Sequence, residues 1–167
     1  MSFSHLRTEI SFRFRGKAVA LKGFPPDRTL LDWLREEAGA KGTKEGCAEG
    51  DCGACTVVLS RPRAGALSYE PVNACILLLG QIDGAELLTV EDLAQGETLH
   101  PVQQAMVDLH GSQCGFCTPG IVMSLFAHYH GEPATRESVN SALAGNLCRC
   151  TGYVSITDAV RSYIAGN

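Results

Sequence analysis

The eight cysteines of this chain fall into two sets of four, Cys47, Cys52, Cys55 and Cys75 in the first half and Cys114, Cys117, Cys148 and Cys150 in the second, with none left over. Any fold of this chain has to gather each set, which leaves the intervening segments little freedom. The first set runs C-x4-C-x2-C with a fourth cysteine after a gap, the plant-type spacing for a [2Fe–2S] cluster. The second runs C-x2-C and then C-x-C, and four thiolates so spaced suit either an iron–sulfur cluster or zinc. Disulfides are the competing use. The stretch Met1 to Phe14 has neither an apolar signal core nor a twin-arginine pair, and the longest aliphatic run, Ile76 to Leu79, is far too short to span a bilayer. The expectation is a cytoplasmic chain with no membrane insertion, in which thiols stay reduced and act as ligands.

With 45% hydrophobic and 19% charged residues, 167 residues suffice for one domain or two small ones without disulfide staples. A net charge of −4 and the lack of a basic stretch disfavour nucleic acid and anionic membranes as partners. That leaves proteins.

Hydrophobic periodicity changes part-way along the chain. Glu9 to Leu21 alternates apolar and charged residues around Arg15-Gly16-Lys17, which predicts a two-stranded hairpin. Pro25-Pro26-Asp27 breaks the chain, and Thr29 is placed to cap a short helix, Leu30 to Glu37, that packs Leu30, Leu31, Trp33 and Leu34 inward. Gly42 to Gly53 reads as a glycine-punctuated loop, followed by strands at Thr56 to Ser60, Leu67 to Tyr69 and Leu87 to Val90. Beyond Val90 the period is helical: Pro101 to His110, Pro119 to His130, Arg136 to Ala144 and Tyr153 to Ile164. The fold class is therefore α+β, with a strand-rich domain at 1–90, a four-helix domain at 91–167, a boundary near Glu91 to Gly96, and one cysteine set in each.

The second half echoes itself. His110-Gly-Ser-Gln-Cys-Gly-Phe-Cys-Thr-Pro-Gly and Ala144-Gly-Asn-Leu-Cys-Arg-Cys-Thr-Gly-Tyr each run from a helix through a glycine to a cysteine pair, a threonine and a new helix. Gly111 and Gly145 are expected to be the left-handed residues that end the first helices, and Pro119 to sit in the first turn of the next. A thiolate-bound [2Fe–2S] cluster carries about −2 when oxidised and about −3 when reduced. Positive helix ends near Pro119 and Tyr153 favour that charge and so raise the reduction potential.

In the first half, Gly42, Gly46, Gly50 and Gly53 permit the close approach and positive φ that let backbone N–H groups wrap around sulfur. Glu45, Glu49 and Asp51 are either a charged face beside an anionic cluster or simply solvated. Phe116, between Cys114 and Cys117, either shields the second site or packs, and Arg149, between Cys148 and Cys150, either offsets thiolate repulsion or pairs on the surface. No nucleophile signature, Walker loop or G-x-G-x-x-G is present, and the histidines at 5, 100, 110, 128 and 130 stand beside none. His128 and His130 are expected to close a helix, where positive charge suits the dipole. No substrate-transforming residue is assigned.

Lys44-Glu-Gly-Cys-Ala-Glu-Gly-Asp-Cys-Gly-Ala-Cys-Thr, His100-Pro-Val-Gln-Gln-Ala-Met, Gln113-Cys-Gly-Phe-Cys-Thr-Pro-Gly and Gly145-Asn-Leu-Cys-Arg-Cys-Thr-Gly-Tyr closely resemble the iron–sulfur part of the molybdenum hydroxylases (the xanthine oxidase family). The likeness covers nearly the whole chain, and its wording is most similar to the bacterial xanthine dehydrogenase branch. The resemblance implies a β-grasp ferredoxin-like domain and a helical domain, each with one [2Fe–2S] cluster on its four cysteines. It further implies a large molybdopterin-binding subunit that hydroxylates a purine such as xanthine or hypoxanthine, an FAD-binding subunit or domain that receives the electrons, and assembly as a dimer of heteromers. Residues matching Gln113 and Cys150 lie near the pterin in such relatives. Many bacterial xanthine dehydrogenases continue into an FAD domain, whereas this sequence ends at Asn167, so the flavin sits on a separate subunit or this is a piece of a longer chain.

Three other classes compete. A stand-alone ferredoxin needs only the first half, a respiratory iron–sulfur subunit needs C-x2-C-x2-C-x3-C-P runs that are absent, and a zinc-binding interaction module needs zinc without labile sulfide.

Overall fold

The computed structural model describes residues 8–131, 133 and 135–165, so His5 and Asn167 lie outside the described residues. Strands β1 (Glu9–Phe14), β2 (Lys17–Lys22), β3 (Thr56–Arg63), β4 (Ala66–Asn73) and β5 (Glu86–Leu88) form one sheet in the order β2-β1-β5-β3-β4. β1 and β5 run parallel and the other neighbours antiparallel. The hairpin between β1 and β2 turns where expected: Arg15 and Gly16 both have positive φ, as a tight two-residue turn demands.

Thr29 caps α1 (Leu30–Asp32), its hydroxyl accepting the Asp32 N–H at 3.1 Å. The helix continues over Trp33–Glu37 in wider π-helical turns, in which Ala38 N–H donates to the Trp33 carbonyl at 2.9 Å. Trp33 meets Phe12 and Phe14 edge-to-face at 5.2 and 5.5 Å, the geometry favoured by the ring quadrupoles. Together with Leu30, Leu31, Leu34, Val57, Leu59 and Leu87 these side chains build the first core, which includes Cys55 and Cys75.

Side chains alternate across a strand, and β3 uses both faces. Val57 and Leu59 enter the first core, while Val58 points the other way into a second. That second core belongs to α2 (Pro101–Asp108), α3 (Thr118–Tyr129), α4 (Arg136–Leu143) and α5 (Val154–Ala165), with Tyr69 and Leu88 from the sheet against it. Eight consecutive residues of α3, Gly120 to Ala127, are buried. Such an all-round apolar helix lies between layers. Here it separates the sheet from the other helices.

The connection between strands and helices is pinned to its surroundings. Thr89 opens a short 3-10 turn, Val90–Asp92, and Asp92 accepts from its N–H and hydroxyl at 2.8 and 2.7 Å. Arg15 pairs with Glu91 and with Asp92, and the Gly42 N–H donates to Glu91. The expected break near Glu91 is thus tied to the first hairpin and the first cysteine loop.

Three local expectations change. His110, not Gly111, takes the positive φ at the end of α2, while a β-carbon at Gly111 would come within 2.6 Å of Met106 Sδ, and Gly145 has no positive φ either. His130 follows α3 as expected, but it stacks on Tyr69 at 4.4 Å within a ring of His100, Phe126 and Tyr129. Burial holds its pKa below the ordinary value, so it contributes packing there and not charge. β3 and β4 also run three and four residues further than their apolar stretches. Pro62 and Pro71 are tolerated because β4 is an edge strand and β3 pairs only with β4 beyond Ser60.

Candidate iron–sulfur centre

The first cysteine loop is shaped by hydrogen bonds from two sides. Arg35 donates to the Thr43 carbonyl at 2.8 Å, and Asn73 donates to the Gly50 carbonyl at 2.6 Å. Within the loop, Ala48, Gly50 and Gly53 take positive φ, which turns successive N–H groups inward. Those of Glu49, Asp51 and Cys52 converge on Cys47 Sγ at 3.5, 3.3 and 3.4 Å. Led by the bond from Glu49, they bring the Cys47 thiol down to about 6. A β-carbon at Gly46 would come within 2.7 Å of Cys52 Sγ, so glycine is required by close approach there.

Cys55 lies at the other extreme. It is 2% exposed, and burial pushes its thiol up to about 12, with the neighbouring Cys75 and Cys52 adding to the effect. Cys47 is hydrogen-bonded to Cys52, Cys55 to Cys75, and Cys52 is close enough to Cys55 for its charge to act there. All four members of the first set are therefore brought together. The acidic Glu45, Glu49 and Asp51 are exposed around them.

The second set is gathered between two helix ends and two helix starts. Cys117 immediately precedes α3, whose first turn carries Pro119, and Tyr153 immediately precedes α5. Cys150 Sγ donates to Cys114 Sγ at 3.5 Å, while Cys117 and Cys148 form the other hydrogen-bonded pair. Burial alone would raise Cys148. The Thr151 hydroxyl at 3.1 Å and the Thr151 N–H at 3.5 Å outweigh it and bring the thiol down to about 7. Burial pushes Cys117 up to about 12. The Phe116 N–H lowers Cys114, and the bond to Cys114 raises Cys150.

Tyr153 supports the loop from behind, its hydroxyl accepting the Cys148 N–H at 2.7 Å. Gln113, Cys114 and Cys150 are all exposed, so both residues expected near a pterin lie on the open side. Phe116 is 49% exposed, and its ring lies close to Gly46 of the first loop, 3.6 Å from where a β-carbon there would sit. Arg149 is exposed between Cys148 and Cys150. The sequence reading missed Arg35, Asn73, Asn146 and Thr151. Only Asn146 and Thr151 stand in motif segments, and a polar residue within three positions of a cysteine pair was the available signal.

Among the described residues, no three His, Cys, Asp or Glu side chains form a single-ion site. A [2Fe–2S] cluster divides its ligands two to each iron, and both sets fit that demand chemically. Each offers four thiols, N–H or hydroxyl donors aimed at sulfur, and at least one thiol disposed to ionise near neutral pH. Among the same residues, no helix is long and apolar enough to cross a membrane.

Comparison with known proteins agrees. A family described as "2Fe-2S iron-sulfur cluster binding domain" matches residues 13–79, and one described as "[2Fe-2S] binding domain" matches residues 89–161. The chain is 48% identical over 157 residues to a xanthine dehydrogenase of Emericella nidulans, covering 92% of this chain and 11% of that protein. It is 44% identical over 161 residues to a human aldehyde oxidase, covering 93% and 12%. The solved quinoline 2-oxidoreductase of Pseudomonas putida 86 matches with a TM-score of 0.80 and 38% identity, over 95% of this chain and 93% of that one. The chain thus spans little more than a tenth of the curated relatives.

Proposed function

Since the chain belongs to the iron–sulfur region of the molybdenum hydroxylases, we propose that it is their two-cluster relay, passing electrons from a molybdopterin centre on a partner chain to FAD. The observation that carries this is the gathering of two complete sets of four thiols, each with its own donors, in one small molecule. When bound, each cluster takes up and releases one electron at a time. The protein supplies ligands, N–H groups that stabilise sulfur charge, and a buried wall for the first set.

On this reading residues 1–90 are a β-grasp ferredoxin-like domain holding one cluster on Cys47, Cys52, Cys55 and Cys75. Residues 91–167 are a helical domain holding the other on Cys114, Cys117, Cys148 and Cys150. Two separate cores with one cysteine set at each support the division. Gln113 and Cys150 are assigned to the pterin side, which their exposure on one edge beside Cys114 favours. The substrate is assigned as xanthine, hypoxanthine or a related purine, on the identity to xanthine dehydrogenase. Aldehydes, N-heterocycles and carbon monoxide are the second reading, and the identities to aldehyde oxidase and quinoline oxidoreductase favour the first two of these. A stand-alone ferredoxin leaves the second set unexplained.

The test is anaerobic addition of xanthine to the intact purified complex while its visible iron–sulfur absorbance is followed. Prompt bleaching is expected. Bleaching by dithionite alone overturns the purine assignment and keeps the relay.

A further inference from the structure

We propose that Asn146 is a positioning residue that fixes the two cysteine loops against each other, and so sets the electronic contact between the clusters they hold. The proposal rests on the two-cluster reading above. Asn146 is buried, and its amide has partners on both sides: Nδ2 donates to the Gly53 carbonyl at 3.1 Å and to Thr56 Oγ1 at 3.4 Å, while Oδ1 accepts from the Ser124 hydroxyl at 2.7 Å. Ser124 thereby orients the amide, so that its NH2 end faces the first loop. The next residue completes the junction, Leu147 N–H donating to the Cys52 carbonyl at 3.0 Å. One hydrogen bond thus joins a ligand of the first set to the residue preceding Cys148 of the second.

The backbone at this point has no slack. A β-carbon at Gly53, which has φ +71°, would lie 2.3 Å from the Gly145 carbonyl oxygen and 2.6 Å from Asn146 Nδ2, and one at Gly120 would lie 2.0 Å from the Gly53 carbonyl oxygen. Gly53 follows Cys52, Gly120 lies three residues after Cys117, and Asn146 two before Cys148. Segments from both sets therefore meet at one carbonyl. A buried amide with its partners in place is directional in a way that apolar packing is not, so it fixes distance as well as holding the loops together. Electron exchange between two centres falls steeply with their separation and prefers bonded routes, which is why a fixed junction here bears on rate.

The experiment uses the holo complex reduced with dithionite, with EPR at low temperature reading the mutual spin–spin splitting of the two cluster signals, and iron and labile sulfide counted in parallel. Asn146→Leu removes the hydrogen bonds while keeping the number and branching of side-chain heavy atoms. Iron and sulfide are expected to stay at the wild-type level while the splitting diminishes. Val139→Ala, in the buried core of the same helices, is expected to lower stability without changing the splitting. Full clusters with unchanged splitting in Asn146→Leu overturn the positioning role. If Asn146→Leu fails to hold both clusters, Ser124→Ala decides, with a smaller loss of splitting supporting the role and none overturning it. A wild-type complex without labile sulfide refutes the two-cluster reading itself, and that outcome is distinct from the others.

Discussion

The two cysteine sets sit in opposite surroundings. In the first, Cys55 and Cys75 are 2% and 8% exposed and form part of the sheet's own core. In the second, Cys114 and Cys150 are exposed, as are Phe116, Leu147 and Val154 close by in the sequence, at 49%, 52% and 66%. A set walled by a core is protected and its potential is governed from within. A set with exposed ligands is open to contact with another surface. The same ligand chemistry is thus used once with two of its four cysteines in a core and once with two at the surface.

The sharpest way to break the comparison is to remove a ligand from the protected set. Cys75→Ser is expected to halve the iron bound and to abolish one cluster signal while leaving the other, as seen by EPR on the folded protein. Loss of both signals from a folded chain contradicts the separate environments. Next come the cores. Leu59→Ala and Ile156→Ala each truncate a fully buried side chain, one in each core, and each is expected to cost about 2–5 kcal/mol. In denaturant titrations, Leu59→Ala should lower the midpoint for the first cluster's signal more than the second's, and Ile156→Ala the reverse. Equal shifts from both would show that the two cores unfold as one.

The smallest expected effect concerns the thiols of the metal-free protein. Cys47 and Cys148 ionise at about 6 and about 7, and Cys55 and Cys117 at about 12. Iodoacetamide at pH 7.5, followed by peptide mass mapping, should label Cys47 and Cys148 first and Cys55 and Cys117 last, because the thiolate is the nucleophile. The sign for stability follows. A thiol whose folded pKa is depressed favours the folded chain most above its ordinary pKa, and that contribution is lost as pH falls through about 7 for Cys148 and about 6 for Cys47. Cys55 and Cys117, with raised values, oppose folding as pH climbs past their ordinary pKa.

Much of this was legible in the sequence, because spacing and period carry it. C-x4-C-x2-C located the first set, alternation located the β1–β2 hairpin, and Thr29 located the start of α1. The helices of the second half fall within two residues of their expected ends. What escaped was set by tertiary contact. The strands expected at Thr56 to Ser60 and Leu67 to Tyr69 stop short of Arg61-Pro62-Arg63, yet the hairpin of β3 and β4 extends through it, turning at Ala64 and Gly65 in positive φ with Arg63 and Glu70 paired across it. Gly111 is small because a β-carbon there would come within 2.6 Å of Met106 Sδ, whereas Gly145 has open space around it, and neither takes the left-handed backbone. Asn146 reads as one more polar loop residue until Gly53, Thr56 and Ser124, all distant in sequence, close around it.

One measurement bears most directly on the assignment of the two sets: iron, acid-labile sulfide and zinc determined together on the purified chain. Two irons and two labile sulfides for each set, with no zinc, is the expected composition. Zinc without labile sulfide, at either set, contradicts it.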